Sequence, residues 1–181
     1  MEKAAYPLAE VYRLLEPGPV VLVSTVRDGR VNIMTMSWHL VMEFAPPLVG
    51  CVISDQNYSF ASLKASRECV INIPTAELAE TVVGCGNTSG KNVDKFKTFG
   101  LTPEPAVCVK APLIKECYAN LECRVWDGKL ITEYNFFILE VVQAWVATSK
   151  KVPMTIHHHG EGEFMVAGRM LHLPSKITSL A

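Results

Sequence analysis

The stretch "VNIMTMSWHL", residues 31–40, alternates like a β-strand but carries an unusual set of side chains. One face would hold Asn32, Met34, Met36 and Trp38, and the other would hold Val31, Ile33, Thr35 and Ser37. The strand backbone and the hydroxyls of Thr35 and Ser37 could meet the polar edge of a flat heterocycle, while Trp38 covers its apolar rim. A packed barrel wall whose hydroxyls touch solvent is the alternative.

The segment "NYSFASLK" predicts a helix N-terminus. Asn57 is expected at the N-cap, with Tyr58 or Ser59 in the first turn. The free backbone N–H groups and the partial positive charge of a helix start favour phosphate, so Ser59 and its neighbours are candidate phosphate ligands. Helix capping alone also explains this motif.

The segment "SGKNVDKF" places Lys91 and Lys95 four residues apart, directly after Ser89 and Gly90. If this segment is helical, both lysines lie on one face, and either could reach a phosphate. A solvated lysine pair is the alternative interpretation.

Three adjacent histidines, His157 to His159, lie near two glutamates but do not predict a metal site. Adjacent imidazoles on a strand cannot face one point, and metal ligands are usually spaced by two to four residues. His39 and His172 are isolated and are expected on the surface or in structural hydrogen bonds. The chain also lacks the G-x-S-x-G, Walker, H-E-x-x-H and G-x-G-x-x-G motifs, which removes the chief support for hydrolase, nucleotide-triphosphatase and Rossmann functions.

The composition predicts one globular domain covering residues 1–181. Hydrophobic residues make up 49% of the chain and charged residues 19%, which suits a well-supplied core. The formal net charge of -1 gives no basic field for nucleic acid or an anionic membrane. No secretory signal or membrane-spanning stretch is evident, so a cytoplasmic protein is expected. The six cysteines form no C-x-x-C pair and are expected to be reduced, buried thiols.

Periodicity and turn residues predict a mainly β chain with short helices. Strands are expected at 20–26, 48–53 and 68–74, in the runs "NLECRVW" and "NFFILEVVQAWVAT", and in a last short strand at "EFMVAG". Asp28-Gly29 predicts a tight hairpin turn. Helices are expected at 6–15, after Asn57, from Thr75 to about residue 83, and shortly before Gly100.

Six or seven strands with about three helices, and no regular β-α-β alternation, argue against a doubly wound parallel sheet. A closed antiparallel barrel of Greek-key type with helical insertions fits better, because closure removes exposed edges.

Four segments, in this order, resemble the flavin reductase-like, FMN-binding split-barrel family that includes flavoredoxin. They are "PVVLVSTVRDGRVNIMTMSWHLVMEFAPPLVGCVIS", "NYSFASLKASRECVINIP", "SGKNVDKFKTFGLTP" and "APLIKECYANLECRVW". The resemblance covers roughly residues 19–148. It implies a split β-barrel, usually a homodimer, with FMN near the subunit interface.

The resemblance also implies the cofactor-binding residues. Residues 35–38 and the strand end at Val52 and Ser54 match segments along the isoalloxazine ring, Tyr58 and Ser59 match the phosphate-side turn, and Lys95 matches a basic residue at the flavin. The predicted set is Met34, Thr35, Met36, Ser37, Trp38, Val52, Ser54, Asn57, Tyr58, Ser59, Ser89, Gly90, Lys91 and Lys95. No catalytic residue and no metal ligand is predicted.

One segment departs from the family pattern. Many relatives carry a histidine and a glycine in a "GDHxxFxGEV"-like segment, where this chain reads "TEYNFFILEV", with Tyr134 at the histidine and Leu139 at the glycine. The first hypothesis is an oxidoreductase that passes electrons from NADH or NADPH through bound FMN to free flavin or another acceptor. The second is an FMN electron carrier reduced by a protein partner, and the third is a metal-binding or structural barrel that uses His157 to His159.

Overall fold

The computed structural model describes residues 2–149 and 152–174 and contains one large antiparallel sheet, two small two-stranded sheets and short helices. The strands are β1 (Lys3–Ala5), β2 (Val21–Arg27), β3 (Arg30–Met36), β4 (His39–Glu43), β5 (Leu48–Val52), β6 (Glu68–Ile73), β7 (Pro103–Glu104), β8 (Leu113–Ile114), β9 (Ala119–Asp127), β10 (Phe136–Ala147), β11 (Ile156–Gly160) and β12 (Glu163–Val166). The α-helices are α1 (Tyr12–Leu15), α2 (Tyr58–Ser66), α3 (Ala79–Asn87), α4 (Lys95–Thr98) and α5 (Ile131–Tyr134). Short 3₁₀ helices at Leu8–Glu10 and Ala76–Leu78 precede α1 and α3.

The large sheet follows the order β3-β2-β6-β9-β10-β5-β4, with β1 added on β10. Every pairing in it is antiparallel. The path is open at β3 and β4, which are not paired with each other in the described part of the chain. The mainly β fold with short helices is therefore confirmed, whereas the predicted closure of the barrel is not.

The hairpin between β2 and β3 turns at Asp28 and Gly29, as predicted. Both residues have positive φ angles, 51° and 73°, which is the backbone of a tight primed turn. The register then sets Met34 opposite Val23 and Met36 opposite Val21. These side chains face the interior, so the predicted alternation of the two faces is correct up to Met36.

The continuous strand predicted across residues 31–40 is wrong at Ser37. β3 ends at Met36, and a new strand, β4, begins at His39. The chain changes partner at this point, because the Trp38 carbonyl oxygen accepts a hydrogen bond from the Val52 N–H at 3.0 Å. This hydrogen bond joins the chain to the end of β5. The break leaves β3 with one unpaired edge.

The main core lies inside the curved sheet and is built from alternate residues of its strands. It includes Val21, Val23, Met34, Met36, Val49, Cys51, Cys69, Ile71, Leu121, Cys123, Phe137 and Leu139. Five of the six free cysteines are buried, and Cys108 is partly exposed, which agrees with the expectation of buried thiols except at Cys108.

Two further clusters cover part of the outer face of the sheet. Residues from α3 and α4 pack over Leu22 and Ile33, and the segment 106–113 packs over Val70. α3 extends to Asn87, beyond the predicted end near residue 83, and the predicted N-terminal helix is divided into a 3₁₀ turn and α1. Strand β11, which carries the three adjacent histidines, was not predicted. None of the described helices is long and apolar enough to cross a membrane.

Candidate functional site

Two adjoining clefts lie beside the unpaired edge of β3. The broad cleft has a volume of about 460 Å³ and is lined by Met34, Thr35, Met36, Ser37, Trp38, Val52, Ser54, Asn57 and Asn135. The polar cleft has a volume of about 270 Å³ and is lined by Asn32, Met34, Gln56, Asn57, Tyr58, Ser59, Gly86, Asn87, Thr88, Ser89, Gly90 and Lys95. Met34 and Asn57 line both clefts, so the two form one continuous site.

The wall of the broad cleft is the end of β3 and the break that follows it. An unpaired strand edge presents free backbone N–H and C=O groups, which suit the polar rim of a flat ring. Trp38 stands at this wall with 72% of its surface exposed. Thr35 is partly committed already, because its hydroxyl donates to the Val82 carbonyl oxygen at 2.6 Å. Thr35 therefore ties β3 to α3 and has only acceptor capacity left for a ligand.

Lys95 supplies the cation of the polar cleft. It is the first residue of α4 and is only 5% exposed, although it is a lysine. Its Nζ donates to the Cys85 carbonyl oxygen at 2.6 Å. Burial lowers the pKa of Lys95, because the low-dielectric surroundings disfavour the ammonium form. An anion in the polar cleft would oppose this effect.

Asn57 occupies the N-cap position of α2, as predicted, with an extended backbone. Its side chain, however, makes no capping hydrogen bond. The N–H groups of Tyr58 and Ser59 lie in the first turn and have no acceptor within the helix. Helix capping by Asn57 therefore does not account for this motif, and the helix start remains able to bind an anion.

Ser59 is buried in the polar cleft and contacts a residue that the sequence did not single out as a ligand. Its Oγ accepts a hydrogen bond from Asn32 Nδ2 at 2.7 Å. Asn32 is 4% exposed, and its Oδ1 has no hydrogen-bond partner in the described part of the chain. A buried polar atom without a partner costs free energy. This oxygen lies against Gly90, where a Cβ would overlap it, so Asn32 faces the cleft through its bond to Ser59.

Ser89 and Gly90 form part of the polar cleft, but Lys91 does not line either cleft. Lys91 is exposed and lies in a turn before α4, so the segment is not helical at Lys91 and the two lysines do not share a helix face. Its N–H donates to Ser89 Oγ at 3.3 Å, and its carbonyl oxygen accepts from Arg30 Nη2 at 3.2 Å. The structure therefore brings together every predicted binding residue except Lys91.

The cleft residues that the sequence analysis missed are Asn32, Gln56, Gly86, Asn87, Thr88 and Asn135. Residues 86–87 were assigned to a loop because α3 was predicted to end near residue 83. Asn135 ends α5 with a left-handed backbone, φ 54°. For Asn32, the sequence showed a polar amide that alternates with Met34 and Met36 on one strand face.

The remaining candidates lie outside the clefts. His39 Nε2 contacts the Pro19 carbonyl oxygen at 2.7 Å, which is the structural role expected for it. The ring of His157 lies 3.1 Å from the Gly18 carbonyl oxygen, and His159 lies 3.7 Å from Glu163. No cluster of metal-binding side chains is found among the described residues. Tyr134 is 64% exposed and is not part of the broad cleft, although Asn135 is.

Known proteins resemble this chain in sequence and in fold. The family model for the flavin reductase like domain matches residues 13–164. An uncharacterized protein of Pyrococcus abyssi is 35% identical over 133 residues, covering 74% of this chain and 76% of that protein.

Two solved structures show the same fold. The FMN-binding domain of a flavin reductases-like enzyme from Shewanella baltica has a TM-score of 0.89 and 27% identity, covering 96% of this chain and 98% of that one. Flavoredoxin of Desulfovibrio vulgaris has a TM-score of 0.79 and 26% identity, covering 88% and 91%. The resemblance drawn from the sequence motifs is confirmed: the chain belongs to the flavin reductase-like family.

Proposed function

We propose that this protein is an FMN-binding oxidoreductase of the flavin reductase type, which passes electrons from NADH or NADPH through bound FMN to free flavin or another acceptor. One observation carries the proposal: a broad cleft beside an unpaired strand edge continues into a polar cleft that holds a buried ammonium group. This arrangement fits a flat heterocycle joined by a short chain to a phosphate.

The residues of the polar cleft fit the charged end of FMN. The Lys95 ammonium has three N–H donors, and Cys85 provides the single acceptor for it among the described residues. Gly90 has no side chain where a Cβ would overlap the Asn32 amide, so the loop can pass close over the cleft. Buried donors without acceptors are satisfied when an anion binds between them.

The chain's own residues would bind and orient the cofactor. Lys95, the Ser59 hydroxyl and the first-turn N–H groups of α2 would hold the phosphate. The edge of β3 would hold the polar rim of the ring, and Trp38 would cover an apolar part of it. When bound, the isoalloxazine ring supplies the redox chemistry, and the protein supplies orientation and electrostatics.

A nicotinamide donor would need space beside the ring more than a protein acid or base, because hydride transfer depends on stacking geometry. The broad cleft is open, and the indole of Trp38 is largely exposed at its wall. The predicted functional residues are accordingly binding residues, and a Rossmann fold is not required for transient stacking.

A second candidate function is an FMN electron carrier reduced by a protein partner. The observation that favours it is the position of Tyr134, which stands where many relatives have a histidine. Its side chain is 64% exposed and does not line the broad cleft. An exposed aromatic side chain beside the site suits contact with a protein surface.

Absorption spectroscopy tests both functions. We expect the purified protein to bind FMN in a titration and to show a flavin band in the visible spectrum. Stopped-flow mixing of the FMN-loaded protein with NADH and with NADPH then separates the two functions. Rapid bleaching of the flavin band supports the reductase, and stable colour supports the carrier. A protein that takes up no FMN would contradict both.

We also propose that the protein is a homodimer, on the basis of an uncovered apolar sheet face. On the outer face of β4, β5 and β10, Leu40, Gly50 and Ile138 are in register across three strands. A Cβ on Gly50 would meet the sulfur of Met42 at 3.0 Å and would overlap the ring of Phe136. We name this surface, formed by Leu40, Met42, Gly50, Phe136 and Ile138, the outer apolar face.

The outer apolar face departs from the usual pattern of a solvated sheet. An antiparallel sheet with one wet face normally alternates apolar inward residues with polar outward ones. Here the inward residues Val41, Val49 and Phe137 are apolar. The outward residues that form the outer apolar face are apolar as well. Helices and the segment 106–113 cover other parts of the outer face, but Leu40 and Met42 remain 49% and 40% exposed. A second copy of the chain would remove this surface from water.

A further inference from the structure

Asn32 lies on the inward face of β3, directly opposite Thr25 of β2. This is the same face that carries the apolar side chains of Met34 and Met36, so a buried amide at this position is unusual. Asn32 is 4% exposed and lines the polar cleft together with Ser59 and Lys95. Its position therefore requires an explanation beyond packing.

The side-chain hydrogen bond from Asn32 to Ser59 fixes the direction in which Ser59 can donate. Asn32 Nδ2 donates to Ser59 Oγ at 2.7 Å. A hydroxyl has one proton and two lone pairs, so Ser59 accepts from Asn32 and keeps its own proton for another partner. Because Ser59 is 1% exposed and lines the polar cleft, that partner must lie in the cleft. Asn32 thus holds Ser59 as a hydrogen-bond donor toward the ligand.

The other end of the Asn32 amide has the opposite polarity. Oδ1 is buried and has no partner in the described part of the chain. An amide oxygen can only accept, and a phosphate dianion offers no proton to it. A Cβ on Gly90 would overlap this oxygen, so the loop after α3 closes it off from the cleft. The groups that the polar cleft offers to an anion are therefore the donors of Lys95 and Ser59.

We infer that Asn32 is a positioning and specificity-determining residue for the phosphate end of the ligand. It donates to Ser59 Oγ and so leaves the Ser59 hydroxyl proton free to bind the phosphate. This inference rests on the proposed function, in which the ribityl phosphate of FMN is the ligand part concerned. It adds a residue that selects the phosphorylated flavin over riboflavin.

The test compares FMN with riboflavin, which has the same polyol but no phosphate. Each ligand is titrated into the apoprotein, and the quenching of flavin fluorescence gives the affinity. We expect the wild-type protein to prefer FMN. Asn32→Asp places a carboxylate beside the phosphate and removes the amide donor, so FMN affinity should fall at least about tenfold and riboflavin affinity much less.

Thr25→Val is the matched control, because Thr25 is also a buried polar residue on this face and its Oγ1 has no partner among the described residues, but it does not line the polar cleft. This variant should leave the ratio of FMN to riboflavin affinity unchanged. An unchanged ratio in Asn32→Asp would overturn the role of Asn32 while leaving FMN binding intact. Failure of the wild-type protein to bind FMN would overturn the proposed function itself.

A double-mutant cycle keeps the test decisive if Asn32→Asp does not fold, as judged by thermal unfolding of the apoprotein. Asn32→Ala and Ser59→Ala should each weaken FMN binding. Because Asn32 acts on the phosphate through Ser59, the double variant should bind FMN more tightly than the two losses added together predict. Fully additive losses would show that the two side chains act independently and would contradict the inference.

Discussion

At the scale of single residues, the site is defined by buried polar groups that lack a hydrogen-bond partner for some of their donors or acceptors in the described part of the chain. Lys95 and Asn32 are 5% and 4% exposed, and the side chain of each makes one hydrogen bond within the described part of the chain. A buried lysine with only a neutral carbonyl oxygen as acceptor is costly, since desolvation penalises the ammonium form. Such a residue is expected where a ligand, rather than the protein, provides the counter-charge.

Lys95→Ala should weaken FMN binding by about 1.5–3 kcal/mol, because the variant loses a charge-assisted hydrogen bond to the phosphate. Lys97→Ala is the matched control: Lys97 lies in the same short helix, but its side chain is 87% exposed and contacts Asp94. Isothermal titration with FMN measures both variants. Equal affinities for Lys95→Ala and the wild-type protein would remove Lys95 from the site.

The sequence identified most of the cleft residues because they lie in segments that resemble the family, and some of them also belong to recognisable local patterns. Tyr58 and Ser59 follow a helix-capping residue, and Met34 to Trp38 follow the alternation of a strand. Asn32 belongs to the same alternation and Asn135 to no such pattern, but the roles of both depend on contacts between elements that are distant in the chain. The commitment of the Thr35 hydroxyl to the Val82 carbonyl oxygen likewise depends on how α3 packs over β3, which periodicity does not specify.

At the scale of elements, the polar cleft depends on how closely the loop after α3 approaches β3. In the loop after α3, Gly90 lies against the Asn32 side chain of β3, where a Cβ would overlap the amide. Glycine is required there because a Cβ would occupy the space of the amide. Ser89 precedes Gly90 in this loop and Lys95 begins α4, and both line the polar cleft.

Gly90→Ala should reduce FMN affinity about tenfold, because the added Cβ forces the loop or the Asn32 amide out of position. Gly86→Ala provides a contrast within the same cleft. Its Cβ would lie 3.5 Å from Thr35, an ordinary contact, and alanine should stabilise α3 by about 0.5–1 kcal/mol. Thermal unfolding should show lower stability for Gly90→Ala and higher stability for Gly86→Ala. FMN titration should show the larger loss of affinity in Gly90→Ala. Comparable FMN affinity in the two variants would contradict the close-approach argument.

At the scale of the whole molecule, composition and turn chemistry were enough to predict an antiparallel, mainly β fold. They could not give the strand order or the open edge at β3, because these depend on long-range pairings. β10 shows why: its 12 residues pair with β1, β5 and β9, and a regular pattern of apolar residues cannot specify three partners at once. A prediction that assumes one buried face per strand also misses the second apolar face of β4, β5 and β10.

The double substitution Leu40→Lys and Met42→Lys should convert the proposed homodimer into a monomer, because it places two charges in the outer apolar face. Val107→Lys is the matched control, since Val107 is 70% exposed and lies near Glu122, away from that face. Sedimentation velocity should give a dimer mass for the wild-type protein and the control, and a monomer mass for the double variant. A wild-type protein that sediments as a monomer, or a double variant that stays dimeric, would show that this face is not the dimer interface. Because Trp38 directly precedes β4 and lines the broad cleft, we also expect the monomeric variant to bind FMN less tightly, which links assembly to the site.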